Sequence, residues 1–165
     1  MIHNIFNIDK ENGITDYLTD KSTQLSSFIK RSNIKNLDII TSGHIPPNPS
    51  ELLSSKRMDD AIAYLKEKYD YVLLDAPPII AVTDSMILAK KVDKMFISVR
   101  VGKADKKVIK RTKELLDNID VDITGVIING VHPQKYYSSY EYNYYYYYYY
   151  GNENDKSKNK KSRKN

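Results

Sequence analysis

"YDYVLLDAPPII" (residues 69–80) decides how the rest of the chain is read. Tyr71–Leu74 is apolar throughout, too short for a helix, and closed off by Pro77 and Pro78. That pattern predicts a β-strand buried on both faces, the kind found inside a parallel sheet. Asp75 then stands at the carboxyl end of the strand.

Outward from this strand the same alternation continues. Upstream, "LDIITSG" (37–43) predicts a strand, and the loop "HIPPNP" (44–49) is kept extended by its three prolines. Asn48 is placed to cap a helix, with Pro49 at its first position and Glu51 three residues after the cap, close to a capping box. That helix is predicted to run to about Tyr69, with Leu53, Met58, Ala61, Ile62 and Leu65 on its inner face. Downstream come a helix "VTDSMILAKKVD" capped by Thr83 or Asp84, a strand "KMFISVRVG", a helix "DKKVIKRTKELLDNI" with Val108, Leu115, Leu116 and Ile119 inward, and a last strand "ITGVIINGV". Residues 1–36 show weak periodicity and only a short helix from Thr15.

Strands alternating with helices call for an α/β fold, a parallel sheet flanked by helices, because parallel neighbours need crossover connections. Ligands of such sheets bind beyond the carboxyl ends of the strands. The places to search are Ser42–Pro49, Asp75–Thr83, Arg100–Asp105 and Asn129–Pro133.

The 165 residues suit one domain. The chain has no cysteine, which excludes a disulfide framework and a thiolate metal site. No signal peptide is evident at the start, and no run approaches the roughly 20 apolar residues of a membrane-spanning helix. A cytoplasmic setting is the expectation. The formal charge is +5, but residues 156–165, "KSKNKKSRKN", carry six cations and no acid, which leaves the body near neutrality. Nucleic acid is therefore not an expected partner, and the basic stretch reads as a solvated terminus.

Each candidate residue has two meanings at this level. Asp75 suits an acid that orients Mg²⁺ beside phosphate oxygens, often through the water shell of the ion, or one that caps the next helix. The amide of Asn129 offers a donor and an acceptor to a nucleobase, or Asn129-Gly130 is a tight turn. Arg100 and Lys103 suit phosphate or base contacts, or are surface charges beside a helix start. His3, His44 and His132 lack metal-site spacing and read as loop residues. No Ser, His and Asp set marks a hydrolase. Within these residues no G-x-x-x-x-G-K-[ST] supplies a phosphate-binding nest.

The remaining feature is "YYSSYEYNYYYYYYY" (136–150), which holds eleven of the fifteen tyrosines. Taken with "PPNPSELL", "VLLDAPP" and "GVIINGV", it closely resembles the bacterial tyrosine kinases of capsule and exopolysaccharide synthesis, of the CapB/CpsD type, from about Met1 to Gly151. The resemblance implies a MinD/ParA-like P-loop ATPase fold that begins after the Walker A and Walker A′ motifs. "HNIFNIDKENGITDYL" is similar to the segment just downstream of Walker A′. It implies three parts: a partial kinase domain over 1–135, a tyrosine cluster over 136–151 and a basic disordered tail over 152–165.

It further implies that ATP and Mg²⁺ are used, that Asp75 matches the Walker B aspartate, and that Asn129, with Arg100, lies near the nucleotide. The phospho-acceptors would be Tyr136, Tyr137, Tyr140, Tyr142, Tyr144, Tyr145, Tyr146, Tyr147, Tyr148, Tyr149 and Tyr150. Implied partners are a membrane adaptor of the polysaccharide co-polymerase type, which would hold the chain at the inner face of the plasma membrane, a tyrosine phosphatase, and either an intact kinase paralogue or further copies in a ring. Without a P-loop the chain is expected to be inactive alone. The alternative is a non-catalytic phospho-acceptor or decoy subunit.

Overall fold

The computed structural model describes residues 2–131. The elements in order are α1 (Ile2–Phe6), α2 (Ile14–Thr19), a 3-10 turn (Leu25–Phe28), β1 (Lys30–Arg31), β2 (Asp38–Ile39), α3 (Pro49–Ser54), α4 (Lys56–Lys68), α5 (Asp84–Ala89), β3 (Phe96–Arg100), α6 (Lys106–Asp117) and β4 (Gly125–Asn129). They divide into two compact units. Among the described residues, the first is 2–96 with Asp105–Gly125, and the second is Ile97–Ala104 with 126–131.

The first unit holds the core. Tyr17, Leu18, Leu25, Phe28, Met58 and Ala61 are buried together, and Ile14, Leu53, Ile62, Leu65 and Leu88 pack around them. Tyr17 meets Phe28 edge-on, with ring centroids 5.8 Å apart. Much of the core therefore comes from the opening segment, where periodicity is weakest. Arg57 closes the carboxyl end of α2, whose last carbonyls would otherwise lack partners. Its Nε donates to Tyr17 O at 2.7 Å, its Nη2 donates to Asp20 O and Thr23 O, and its guanidinium stacks 4.0 Å over the Tyr17 ring.

The helix expected from Pro49 to about Tyr69 is two helices. Ser55 Oγ donates to Leu52 O and accepts from Met58 N–H, which ends α3 and caps α4. The inward set on these helices is as expected, with Met58 and Ala61 buried and Leu53, Ile62 and Leu65 partly so. At the start of α3 the capping box does not form. Asn48 Nδ2 donates to Glu51 Oε2 at 3.2 Å, and its side chain caps no backbone N–H. The helix after the prolines is also shorter than expected, covering Asp84–Ala89. Thr83 occupies its N-cap position without a side-chain cap bond.

Residues 69–80 differ most from expectation. The chain bends at Asp70, residues 71–78 form neither helix nor strand, and Tyr71 and Leu73 are 86% and 89% exposed. A strand is buried on both faces only when neighbours flank it, and the strands described here pair only with one another: β1 with β2, and β3 with β4. "LDIITSG" supplies β2, which pairs antiparallel with β1 (Lys30↔Ile39, Arg31↔Asp38). Tyr69 ties this ribbon to the end of α4, its hydroxyl donating to Asp38 Oδ2 at 2.7 Å.

On α6, Leu116 is fully buried and Leu115 and Ile119 partly so, whereas Val108 is 46% exposed. Val108 sits in the first turn, before the helix reaches the core. In the second unit, Ile97–Arg100 and Val126–Asn129 run side by side, and Val101 N–H donates to Asn129 O at 2.9 Å. Before them, Thr124 N–H donates to Met95 O. Residue numbers rise together along both strands, so β3 and β4 are parallel, as expected for this fold class.

Arg57→Ala is expected to lower unfolding free energy by about 2 kcal/mol, because charged hydrogen bonds to the α2 carbonyls are lost. Urea titration followed by circular dichroism measures it, and Arg57→Lys, which has no planar fork, should recover little.

Candidate functional site

The best-organised polar cluster lies where α2 meets the loop after β2. Ile14 N–H donates to Thr41 O at 2.8 Å, and Thr15 N–H to Ser42 O at 3.1 Å. Thr15 Oγ1 adds bonds to Ser42 O and His44 O. Gly13 makes this approach possible, since a Cβ there would fall 2.2 Å from Gly43 N and 2.3 Å from Thr41 O. Gly43 adopts φ +79°, a left-handed conformation that favours glycine.

Asp16 is the hub. Its Oδ2 accepts from Gly13 N–H at 2.8 Å, and its Oδ1 lies 2.7 Å from His44 Nδ1. Burial alone pushes the Asp16 carboxyl up, but the Gly13 N–H and the His44 ring outweigh it and leave the group below its ordinary 3.8. The hydrogen bond to Asp16, and then its charge, hold the His44 imidazole above its ordinary 6.5. Lys30 works nearby as a structural cation. Its ammonium donates to Asp9 O, Glu11 O and Thr41 Oγ1, so it is spent on holding the 9–11 loop.

Two of the four loops marked by the sequence lead into helices that meet. Ser50 Oγ donates to Asp84 Oδ1 at 2.7 Å and lies 3.3 Å from Thr83 Oγ1, which links the first turn of α3 to the start of α5. Ser85 Oγ donates to Pro77 O, which ties the proline loop to the same helix. Asp75 stands just before that loop, exposed and with no hydrogen-bond partner among the described residues. Asp84, not Asp75, is thus the acid at the helix start.

The second unit brings Arg100 and Asn129 together. Asn129 Oδ1 accepts from Gly130 N–H at 2.7 Å, and Gly130 has φ +69°. A Cβ on Gly130 would fall 3.2 Å from Arg100 Cγ, so the arginine stem lies against the turn. The amide therefore makes the local turn bond, although its NH₂ stays free of partners among the described residues. Lys103 is exposed in the turn before α6.

His3 lies within α1 rather than in a loop. His44 is in a loop, but engaged with Asp16. His132 and all eleven clustered tyrosines lie outside the described residues, as do 132–165 generally. The Asp16–His44 cluster escaped the sequence reading. A glycine followed three residues later by an acid, "GITD", was its one available signal.

No group of three or more His, Cys, Asp or Glu side chains suited to a metal ion occurs among the described residues. Asp75 is a single open carboxylate, and the glycines with positive φ stand apart, at 43, 102 and 130. Those residues do not make a phosphate cradle, so by themselves they do not fit MgATP.

The family model for the AAA domain matches residues 2–124, and the chain belongs to that family. The relatives it matches are bacterial tyrosine kinases. It is 38% identical over 135 residues to the tyrosine-protein kinase YwqD of Bacillus subtilis, a match covering 82% of this chain and 56% of that protein. It is 36% identical over 129 residues to the tyrosine-protein kinase etk of Escherichia coli K12, covering 78% of this chain and 18% of that protein. Among solved structures, the kinase domain of Escherichia coli ETK aligns with TM-score 0.74 and 34% identity, over 79% of this chain and 51% of that one. The VpsO kinase domain aligns with TM-score 0.73 and 30% identity, over 79% and 64%. The chain thus spans about half, or much less, of the first proteins it matches.

The Asp16–His44 contact is testable by proton NMR. His44 should titrate above 6.5, and Asp16→Asn should bring it back towards that value. The raised histidine contributes stability that is complete below its unfolded pKa and is lost as pH rises through its folded one. The depressed aspartate contributes above about 3.9 and loses its effect as pH falls through its folded value. The contact is therefore strongest at mildly acidic pH. Gly13→Ala should cost about 1–3 kcal/mol in urea titration through backbone overlap at Thr41–Gly43.

Proposed function

We propose that this chain serves bacterial tyrosine phosphorylation in capsule and exopolysaccharide synthesis and export, and that it contributes the acceptor rather than the donor side of the transfer. The observation that carries this reading is the tyrosine cluster 136–150 joined to a domain related to bacterial tyrosine kinases. In a complete domain ATP would supply the γ-phosphate, and Asp75 would be the acid facing Mg²⁺, with Asn129 and Arg100 the residues placed towards the nucleotide. The division into a partial kinase domain (1–135), a tyrosine cluster (136–151) and a basic tail (152–165) belongs to the same reading.

Alone, the chain is inactive. Phosphoryl transfer rests on cations and donors preorganised around the phosphates. A lone open carboxylate does not replace them. A membrane adaptor keeps the chain at the inner face of the plasma membrane, and a tyrosine phosphatase reverses the modification. Each phosphate adds about −1.5 to −2 charge, so a modified cluster repels its neighbours and favours ring disassembly.

The second reading, a decoy that takes phosphate and places from an intact paralogue, is favoured by the same lack of a phosphate cradle among the described residues. The two readings share an experiment. Purified chain is incubated with MgATP, alone and with an intact kinase such as YwqD, and phosphotyrosine is detected. No labelling alone and clear labelling in the mixture are expected, with loss of most of it when Tyr144–Tyr150 are all changed to Phe. Robust labelling of the chain alone overturns intrinsic inactivity, and no labelling in the mixture overturns the acceptor role. A decoy additionally lowers the autophosphorylation of the intact kinase as it is titrated in.

A further inference from the structure

The charges on α6 run against its own dipole. Anions favour the first turn of a helix and cations the last, yet α6 has no acid in its first turn and no base in its last. Lys106, Lys107 and Lys110 fall in its first half, and Glu114 and Asp117 in its second. Helix stability does not account for this order, because the reverse order would be more favourable.

Packing and ion pairing do not account for it either. Leu116, fully buried, holds the second half of the helix in the core, whereas every side chain from Lys106 to Arg111 is exposed. Arg111 is paired with Glu114 at 3.3 Å and Lys113 with Asp117 at 2.6 Å. Lys106, Lys107 and Lys110 have no acidic partner among the described residues. The acid beside them in sequence, Asp105, serves as the N-cap, its Oδ1 accepting from Lys107 N–H at 2.8 Å. Lys106, Ile109, Lys110 and Lys113 recur at helical spacing, so an aliphatic side chain, 43% exposed, sits among three cations on one face. Val108, 46% exposed, adds a second aliphatic group in the same half.

We propose that the exposed first half of α6 docks on an anionic lipid surface, with Lys106, Lys107 and Lys110 at the headgroup phosphates and Ile109 at the acyl boundary. Helices that lie in a membrane interface combine these two features. The positive end of the helix dipole falls in the same half and adds to the attraction. Residue type selects this occupant over an acidic protein. Protein interfaces are depleted in lysine and enriched in arginine. On α6 the three unpaired cations are all lysines, and the one arginine is taken by Glu114. The phosphates of a nucleic acid would suit the lysines but leave Val108 and Ile109 without a role. A bilayer engages both. This contact goes beyond the proposed adaptor and does not rest on phosphoryl transfer, since it needs neither ATP nor a second protein.

The test is co-sedimentation of the full 165-residue chain with vesicles of phosphatidylcholine alone, or of phosphatidylcholine and phosphatidylglycerol in equal parts. In every protein compared, Lys156, Lys158, Lys160, Lys161, Arg163 and Lys164 are changed to Gln, so that the basic terminus does not contribute. Binding to the anionic vesicles and not to the neutral ones is expected. Each lysine near an anionic surface is worth about 5-fold in affinity, and less as salt screens it. Lys106→Glu, Lys107→Glu and Lys110→Glu together should therefore weaken binding at least ~10-fold. Ile109→Ser, with the lysines intact, should weaken it at least ~3-fold. Glutamates in the first half suit the dipole, so circular dichroism should show undiminished helix in the triple variant. Equal binding to neutral vesicles, no binding once the terminal cations are gone, or indifference to the triple variant or to Ile109→Ser each overturns the proposal. Tighter binding to a DNA duplex or to polyglutamate than to the anionic vesicles also overturns it, and assigns the lysines to a nucleic acid or an acidic protein. The phosphotyrosine assay, whichever way it falls, leaves this result unchanged.

Discussion

The contact on which the first unit depends is one of backbone against backbone. Gly13 lies so close to Thr41–Gly43 that a single carbon would not fit between them, and the amides of Ile14 and Thr15 bond into the gap. That approach sets where α2 begins and how it points. Tyr17 and Leu18 then reach Leu25, Phe28, Met58 and Ala61, and the core closes around them. Arg57 fixes the opposite end of the same helix from α4. A six-residue helix has little stability of its own, so its two ends are held by parts of the chain roughly thirty and forty residues away.

The same geometry builds the polar cluster. Because Gly13 brings the first turn of α2 against the loop, the Asp16 carboxylate reaches the His44 ring and the backbone N–H of Gly13 at once. His44 opens the segment 44–49 that leads to Ser50, and Ser50 is bonded to Asp84 at the start of α5. A chain of polar contacts thus runs from α2 through the proline-rich loop to α5, all within the first unit.

Local pattern made much of this legible. Helical spacing found Met58, Ala61 and Leu116, and β-rich runs found β3 and β4. Alternation with helices gave the α/β class. Burial of residues 69–80 was not legible, because an apolar run reports what a strand needs and not whether its neighbours are present. Val108 failed for a related reason, since periodicity assigns a face without saying where along the helix the core begins. The Ser55 break was invisible because a serine hydroxyl competes with helical hydrogen bonds only once the fold supplies the opportunity. Of the residues proposed for nucleotide contact, Arg100 and Asn129 end strands whereas Asp75 follows none, and their environment is simple: Asp75 is open, and Asn129 is turned into its own loop.

The four tyrosines of the described body are chemically unlike one another. Tyr17 is buried beneath the Arg57 guanidinium. Tyr64 lies under Lys68. The Tyr69 hydroxyl donates to Asp38 Oδ2, and this bond with partial burial pushes its pKa up to about 12. Only Tyr71 stands in the open, 86% exposed. Three of the four described phenols are therefore engaged, by a cation over the ring or by a carboxylate on the hydroxyl, and the fourth is open. Tertiary structure thus sets how readily each of these four phenols can meet a modifying reagent.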